Sequence, residues 1–312
     1  MRNALYIILI GAVVLNIVSC GMYTQVKKET IYGEFEYQGF KRSYLVHLPV
    51  NYTPEKKYPL IFVMHGIASR AKAIAGFSGF TEQSDLKDFI VCYPQGYKWS
   101  WGITLLIGPA PKKGIDDYGF FDRLIDSLDT DYSIDLENVY ACGISNGGFM
   151  SALLACNLSE RFAGIALVCS NMFEPVEELY QVGKPMPILI IAGTKDPLLD
   201  YAGGKMKLKN KYSSIGYEAT VEYWVAKNGC CYPSDSTIIE THPKDKTTVI
   251  KYYCKDETNK NEVVFYKVIG GGHAWPGRGK DFKSAFFGDI SHEIDAAEVI
   301  SDFFMKQVKS KR

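Results

Sequence analysis

The apolar positions of this chain change period several times along its length. From Arg42 to Pro49 apolar and polar residues alternate, which suits a strand buried on one face. Tyr58–Met64 is a nearly unbroken apolar run ending at His65-Gly66, the pattern of a strand covered on both faces. Phe89–Tyr93 repeats that pattern and is followed by Pro94 and Gly96. Phe120–Leu128 carries apolar residues at helical spacing and leads into an expected loop at Asp131–Asp135. Val139–Cys142 predicts a short strand, Gly147–Cys156 a helix, and Ile165–Val168 and Ile188–Ala192 two further buried strands. Tyr217–Lys227 reads as a helix, and Val249–Cys254 and Val263–Ile269 as paired strands. Asp295–Val308 closes the chain as an amphipathic helix with Ala296, Val299, Ile300, Phe303 and Phe304 on one face. Strands alternating with helices predict an α/β fold with a mostly parallel, doubly wound sheet. No repeat, low-complexity stretch or Pro/Gly/Ser-rich linker divides the chain, so residues 31–312 are expected to form one domain.

The N-terminus follows a different logic. Arg2 gives a positive start, and residues 4–15 are an apolar run of 12, short of the ~20 needed to cross a bilayer as a helix. Such a run fits the hydrophobic region of a secretory signal. It leads to Ile17-Val18-Ser19-Cys20-Gly21, which resembles the lipobox of bacterial lipoproteins, where the cysteine is diacylated and the signal cut away. The resemblance makes residues 1–19 a signal peptide, Cys20 a lipidation site and residues 20–30 a lipidated tether. It implies an exported protein held on a membrane of the bacterial cell envelope, since two acyl chains anchor where one binds reversibly. An ordinary signal peptide or an N-terminal anchor helix is the alternative.

Charge narrows the possible partners. Across 312 residues, 35 Lys+Arg balance 35 Asp+Glu and 47% of positions are hydrophobic. No positive excess is available to neutralise phosphates, which argues against a nucleic-acid partner. The apolar content likewise argues against a disordered chain. Eight Cys are too few for a disulfide-built scaffold. Neither Cys-x-x-Cys nor His-Glu-x-x-His occurs, so no metal and no other cofactor is expected. The oligomeric state is not fixed by any of these features.

The candidate chemistry follows strands. Gly143-Ile144-Ser145-Asn146-Gly147 lies between a predicted strand and a predicted helix, the form of a nucleophile elbow. With 20 Ser and 28 Gly in 312 residues, chance supplies about 0.16 such patterns, so the strand–turn–helix context carries much of the signal. A Ser hydroxyl needs a base, and the base an orienting carboxylate. Of the three His downstream, His242 sits in a polar stretch and His292 beside Glu293, whereas His273 follows Gly270-Gly271-Gly272 directly after a strand. The carboxylate is expected at Asp196, in Gly193-Thr194-Lys195-Asp196-Pro197 at the end of a strand, with Asp200 as the alternative. The backbone N–H groups of Asn146 and Ile67 are the expected oxyanion donors, each contributing on the order of 3 kcal/mol.

At this level of detail the chain resembles the polyhydroxybutyrate depolymerase / feruloyl esterase group of α/β-hydrolases, related to carbohydrate esterase family 1. The resemblance rests on Lys41-Arg42-Ser43-Tyr44, Leu60–Gly66, Asp116-Asp117-Tyr118-Gly119-Phe120, Val139–Met150, Arg161-Phe162-Ala163-Gly164, Gly193–Asp196, Tyr201–Gly204, Trp224–Cys230 and Gly270–Gly277. It implies an α/β-hydrolase fold, a Ser145–His273–Asp196 triad, and hydrolysis of feruloyl or acetyl esters of plant polysaccharide, or of hydroxyalkanoate oligomers. It also implies a disulfide from Cys230 to Cys254, with Cys231 as the alternative partner, contributing about 3 kcal/mol. Two departures stand out: Ala192-Gly193 where relatives often have His-Gly, and Ile67 where depolymerases commonly have Cys.

Trp99, Trp101 and Trp275 are candidates for an aromatic wall against the substrate, or alternatively packing of the crevice. Asp116-Asp117 reads as helix capping or structural hydrogen bonding rather than a metal pair. Cys92, Cys142, Cys156 and Cys169 fall in or next to predicted core elements, where thiols are usually inert. A prolyl-oligopeptidase-type peptidase and a non-catalytic binding lipoprotein are the competing functional classes; the intact Ser, Asp and His count against the second.

Overall fold

The buried runs assemble side by side into a ten-stranded sheet. The computed structural model describes residues 30–103, 108–205, 213–258, 260–278 and 286–308. Residues 1–19, expected to be a signal peptide, and Cys20 lie outside the described residues. Chain order is β1 (Thr30–Tyr37), β2 (Phe40–His47), β3 (Tyr58–Met64), α1 (Ala71–Phe77), α2 (Phe80–Lys87), β4 (Ile90–Pro94), α3 (Asp117–Asp131), β5 (Ile134–Ile144) and α4 (Asn146–Asn157). Then follow β6 (Gly164–Val168), β7 (Ile188–Gly193), the short pair β8 (Gly204–Lys205) and β9 (Ser213–Ser214), α5 (Tyr217–Lys227), β10 (Cys231–Ile239), β11 (Thr248–Lys255), β12 (Glu262–Ile269) and α6 (Ala296–Gln307). The sheet order is β1-β2-β4-β3-β5-β6-β7-β12-β11-β10. The six strands from β4 to β12 are parallel, and antiparallel pairs flank them on both sides.

Alternation within the strands divides the interior into two layers. Leu60, Phe62 and Met64 face a core shared with Phe120, Phe121 and Leu124 of α3, Met150 and Leu154 of α4, and Val221 and Trp224 of α5. Ile61 and Val63 face the other side, against Ile74 of α1, Phe80 of α2, and Ile300, Phe303 and Phe304 of α6. Each fully buried side chain of this size stabilises by about 1.5–3 kcal/mol. This is an α/β-hydrolase fold, a mostly parallel sheet covered on both faces.

Several boundaries differ from the local pattern. The expected loop at Asp131–Asp135 is instead shared between the end of α3 and the start of β5, because Ile134 pairs with Tyr58 across a register shift. The predicted strand Arg42–Pro49 begins earlier, at Phe40. Its partner β1 turns into it through Gln38 and Gly39, both at positive φ, the geometry a two-residue hairpin requires. Thr30, the last residue of the proposed tether, is already in β1. Among the described residues no helix is long and apolar enough to cross a membrane.

Candidate active site

Register aligns the strand ends that carry the candidate chemistry. Met64 pairs with Gly143, Ile144 with Val168, Val168 with Ile191, and Gly193 with Val268. The segments leaving β3, β5, β6, β7 and β12 therefore emerge along one edge, where open α/β sheets place their ligands.

Ser145 is held at φ 55°, ψ −117°, between β5 and the first turn of α4. A side chain at Gly147 would come within 2.4 Å of the Met64 carbonyl oxygen, so only glycine lets the turn pass so close to β3. The Ser145 N–H donates to the Val168 carbonyl at 2.8 Å, and its own carbonyl accepts from Phe149 N–H at 2.9 Å and Ser170 Oγ at 3.0 Å. Strain at a non-glycine residue persists when surrounding bonds over-determine it, as these do.

Asp196 and His273 meet across 77 positions of sequence: His273 Nδ1 lies 2.6 Å from Asp196 Oδ2, with both residues buried. The carboxylate's other oxygen accepts from Leu198 N–H at 2.8 Å and Leu199 N–H at 2.9 Å, which fixes its rotamer. The two loops are tied by Lys195 N–H to the Gly271 carbonyl at 2.8 Å and Thr194 N–H to the Val268 carbonyl at 2.9 Å. A Cβ at Gly193 would lie 2.4 Å from the carbonyl oxygens of Gly271 and Gly272, so glycine there permits the close approach. Among the described residues no hydrogen bond joins Ser145 Oγ to His273. The alternatives lie apart: Asp200 accepts from Ala202 N–H in its own turn at 3.0 Å, and His242 and His292 line a groove beside Glu298 and Asp302.

The expected oxyanion donors flank the serine. The Cβ position at Gly66 is 3.7 Å from Ser145 Cβ, which brings the neighbouring Ile67 to the serine. Neither Ile67 N–H nor Asn146 N–H, at the first position of α4, has a hydrogen-bond acceptor among the described residues. The Asn146 side chain accepts instead, from Trp101 N–H at 2.9 Å.

His65 sets the path of this loop, a role the sequence reading did not assign. Its Nδ1–H donates to the Gly66 carbonyl at 2.7 Å, and Nε2 accepts from Gly96 N–H at 3.0 Å. Full burial pushes its pKa down to about 4, so the ring is neutral and this pairing of donors and acceptors is consistent.

Of the three tryptophans expected at the substrate wall, only Trp99 is exposed, at 47%. Trp101 is not available to form a wall: it is fully buried and its Nε1–H donates to the His65 carbonyl at 2.9 Å. Trp275 is likewise a core residue, packed on Phe77 and Phe80 with its Nε1–H on the Ser78 carbonyl at 3.1 Å. The implied disulfide is also absent. Cys230 Sγ donates to the Asn261 carbonyl at 2.9 Å, Cys254 is buried in β11 opposite Val263, and exposed Cys231 lies opposite Lys255. Burial raises the Cys230 thiol to about 11.

Two further groups, read from sequence only as a buried thiol and as capping or structural hydrogen bonding, stand beside the site. Cys169, at φ 49° just past β6, donates its thiol to the Ala274 carbonyl at 3.3 Å, so it touches the loop that carries His273. Cys169 Sγ, an Asp196 oxygen and a His273 nitrogen lie within 4.8 Å of one another, and burial together with the Asp196 charge pushes the thiol pKa well up. The rule "just past a strand" picks out Cys169 as it does Asp196. Second, Arg42 and Asp117 form a buried ion pair at 2.5 Å, with the guanidinium over the Phe120 ring at 3.7 Å. Asp117 Oδ2 also accepts from Gly102 N–H at 2.5 Å, so the pair supports the Trp101–Gly102 backbone that Asn146 holds. Asp116 caps α3 through Gly119 N–H at 2.9 Å.

Known proteins can now be set beside this geometry. No protein-family model matches the chain. It is 27% identical over 261 residues to NocK of Nocardia uniformis subsp. tsuyamanensis, an esterase by assignment, covering 79% of this chain and 74% of that one. Feruloyl esterase D of Neurospora crassa is 25% identical over 248 residues, covering 75% and 74%. Feruloyl esterase B of Piromyces equi is 28% identical over 257 residues, covering 78% of this chain but only 45% of its own length. This chain is an esterase of the α/β-hydrolase fold. The esterase superposes on a carbohydrate esterase family 1 ferulic acid esterase from Anaeromyces mucronatus with a TM-score of 0.53 at 16% identity, covering 91% of this chain and 93% of that one. The acetyl xylan esterase from Aspergillus awamori gives 0.54 at 15% identity, covering 78% and 94%. At such identities the structural likeness speaks for the fold.

Proposed function

We propose that this esterase works through an acyl-enzyme on Ser145. Ser145 Oγ attacks the ester carbonyl carbon while His273 Nε2 takes its proton, and Asp196 keeps the imidazole in the required tautomer. The oxyanion is received by the N–H groups of Asn146 and Ile67. His273 then returns the proton to the leaving alcohol, and water, deprotonated by His273, releases the acid and restores Ser145. The observation that carries this reading is the 2.6 Å Asp196–His273 bond on a loop beside the strained Ser145 turn. Unliganded sites often lack the serine–histidine bond, which tightens when substrate binds.

The names of the feruloyl esterase relatives support feruloyl esters of plant polysaccharide as the first substrate class, with acetyl esters and hydroxyalkanoate oligomers in the same panel. Trp99, exposed next to the Ile67 loop, suits an aromatic acyl group. Export and a lipid anchor at Cys20 belong to the proposal on sequence grounds. The test is Ser145→Ala assayed on 4-nitrophenyl acetate, methyl ferulate, acetylated xylan and a hydroxybutyrate trimer. Loss of at least about 10³-fold in kcat with an unchanged circular dichroism spectrum is expected; undiminished turnover would refute the assignment. Labelled palmitate tests the anchor, and absence of incorporation removes it.

A further inference from the structure

Next to the loop that carries Ile67, an exposed arginine stacks on an exposed tryptophan. The Arg70 guanidinium lies over the Trp99 ring, 5.1 Å from its centroid. Both residues are exposed, and Arg70 makes no ion pair among the described residues. Trp99 is joined to the oxyanion loop directly: its carbonyl accepts from Ala68 N–H at 2.8 Å, one residue past Ile67. Ala68, Lys98 and Trp99 all adopt positive φ, at 58°, 43° and 67°. Three strained non-glycine residues at one contact are a cost that folds maintain mainly at functional positions.

The local sequence sharpens the picture. Over the whole chain cations and anions balance, but residues 56–81 and 89–115 contain no Asp or Glu. These are the stretches that supply Arg70 and Trp99, and Lys98 adjoins Trp99. We infer that Arg70 and Trp99 form a subsite for a carboxylate carried by the ester substrate, with the Trp99 face contacting the spacer between that carboxylate and the scissile carbonyl. The planar fork of an arginine suits bidentate contact with such a group. The inference rests on the Ser145 reading, because it places the subsite relative to that serine.

The test compares matched esters in wild type, Arg70→Gln and Arg70→Lys. On the acyl side the pair is 4-nitrophenyl hemiglutarate and 4-nitrophenyl valerate; on the alcohol side it is 4-carboxyphenyl acetate and 4-(methoxycarbonyl)phenyl acetate. The readout is the ratio of kcat/KM for the charged ester to that for its neutral partner, which cancels intrinsic reactivity when compared between variants. Arg70→Gln should lower the ratio about fivefold in one series, the size expected of a solvent-exposed charge contact, and Arg70→Lys should restore part of it. The series that responds tells which side of the ester bears the carboxylate. In wild type, 0.5 M NaCl should lower the same ratio by screening. Ratios unchanged by Arg70→Gln and by salt in both series overturn the inference while leaving the esterase reading intact. Failure to hydrolyse even the neutral esters overturns both.

Discussion

Acidification should unlatch the site loop through His65. In the folded protein its Nε2 accepts from Gly96 N–H, with the Gln95 amide nitrogen 3.1 Å away, so a proton on Nε2 would set donor against donor. Burial has moved the ring from its ordinary 6.5 to about 4. The unfolded chain therefore takes up a proton below pH 6.5 that the folded protein refuses until about pH 4. Unfolding then binds protons, so stability falls as the pH drops through this window, by up to about 1.4 kcal/mol per pH unit. Over the window the loss amounts to about 3 kcal/mol, a sizeable part of the 5–15 kcal/mol typical of a domain. Urea unfolding of wild type and His65→Gln, measured in steps from neutral to acidic pH, isolates the effect. Carboxylates titrating in the same range contribute equally to both proteins and cancel in the difference. The wild type should lose about 3 kcal/mol relative to the variant between pH 6.5 and pH 4. Parallel stability curves would show that His65 is not the buried neutral acceptor described above.

The remaining expectations concern the frame and the relay. Asp117→Ala strands the buried Arg42 guanidinium and the Gly102 N–H, and should cost about 3–5 kcal/mol in urea unfolding; a double replacement with Arg42→Met should recover most of it, and a single-variant loss below about 1 kcal/mol would contradict a buried pair. Trp101→Phe keeps an aromatic ring but removes the indole N–H and leaves the buried His65 carbonyl without its donor, so a loss of at least about 1–3 kcal/mol is expected, with reduced kcat as the Asn146 contact shifts; unchanged stability would remove Trp101 from its structural role. Asp196→Asn should leave KM nearly unchanged and lower kcat by up to about 10⁴-fold, because the amide favours the wrong imidazole tautomer; full activity in steady-state kinetics would exclude Asp196 as the orienting group.

Much of the architecture was legible in local pattern. Apolar runs such as Tyr58–Met64 and Ile188–Ala192 announce strands buried on both faces, since a central parallel strand has no side facing water. Gly143-Ile144-Ser145-Asn146-Gly147 announces its turn because only small residues clear the adjoining strand. Local pattern left Trp101 and Trp275 open between a substrate wall and packing, and the Cys230–Cys254 pair, which only the family resemblance implied, is not formed. Nothing within a few residues of a tryptophan tells whether its ring meets ligand or core. For Trp101 the answer lies in the His65 carbonyl and the Phe121 ring, which the fold brings to it. Arg42 and Asp117 each stand in a motif, yet their ion pair exists only because β2 and α3 pack together.

The sequence by itself thus determined eight of the ten strands of the large sheet, though not its edge strands β1 and β10, together with the sharp turn at Ser145 and the side chains at strand ends, for these follow from period and steric size over a few residues. The tertiary structure decided which of those ends are neighbours. Asp196 and His273 meet because β12 returns to pair in parallel with β7 after β10 and β11 have been added at the far edge. Strand order and register are set by burial summed over the whole sheet, a long-range quantity that no short stretch of residues carries.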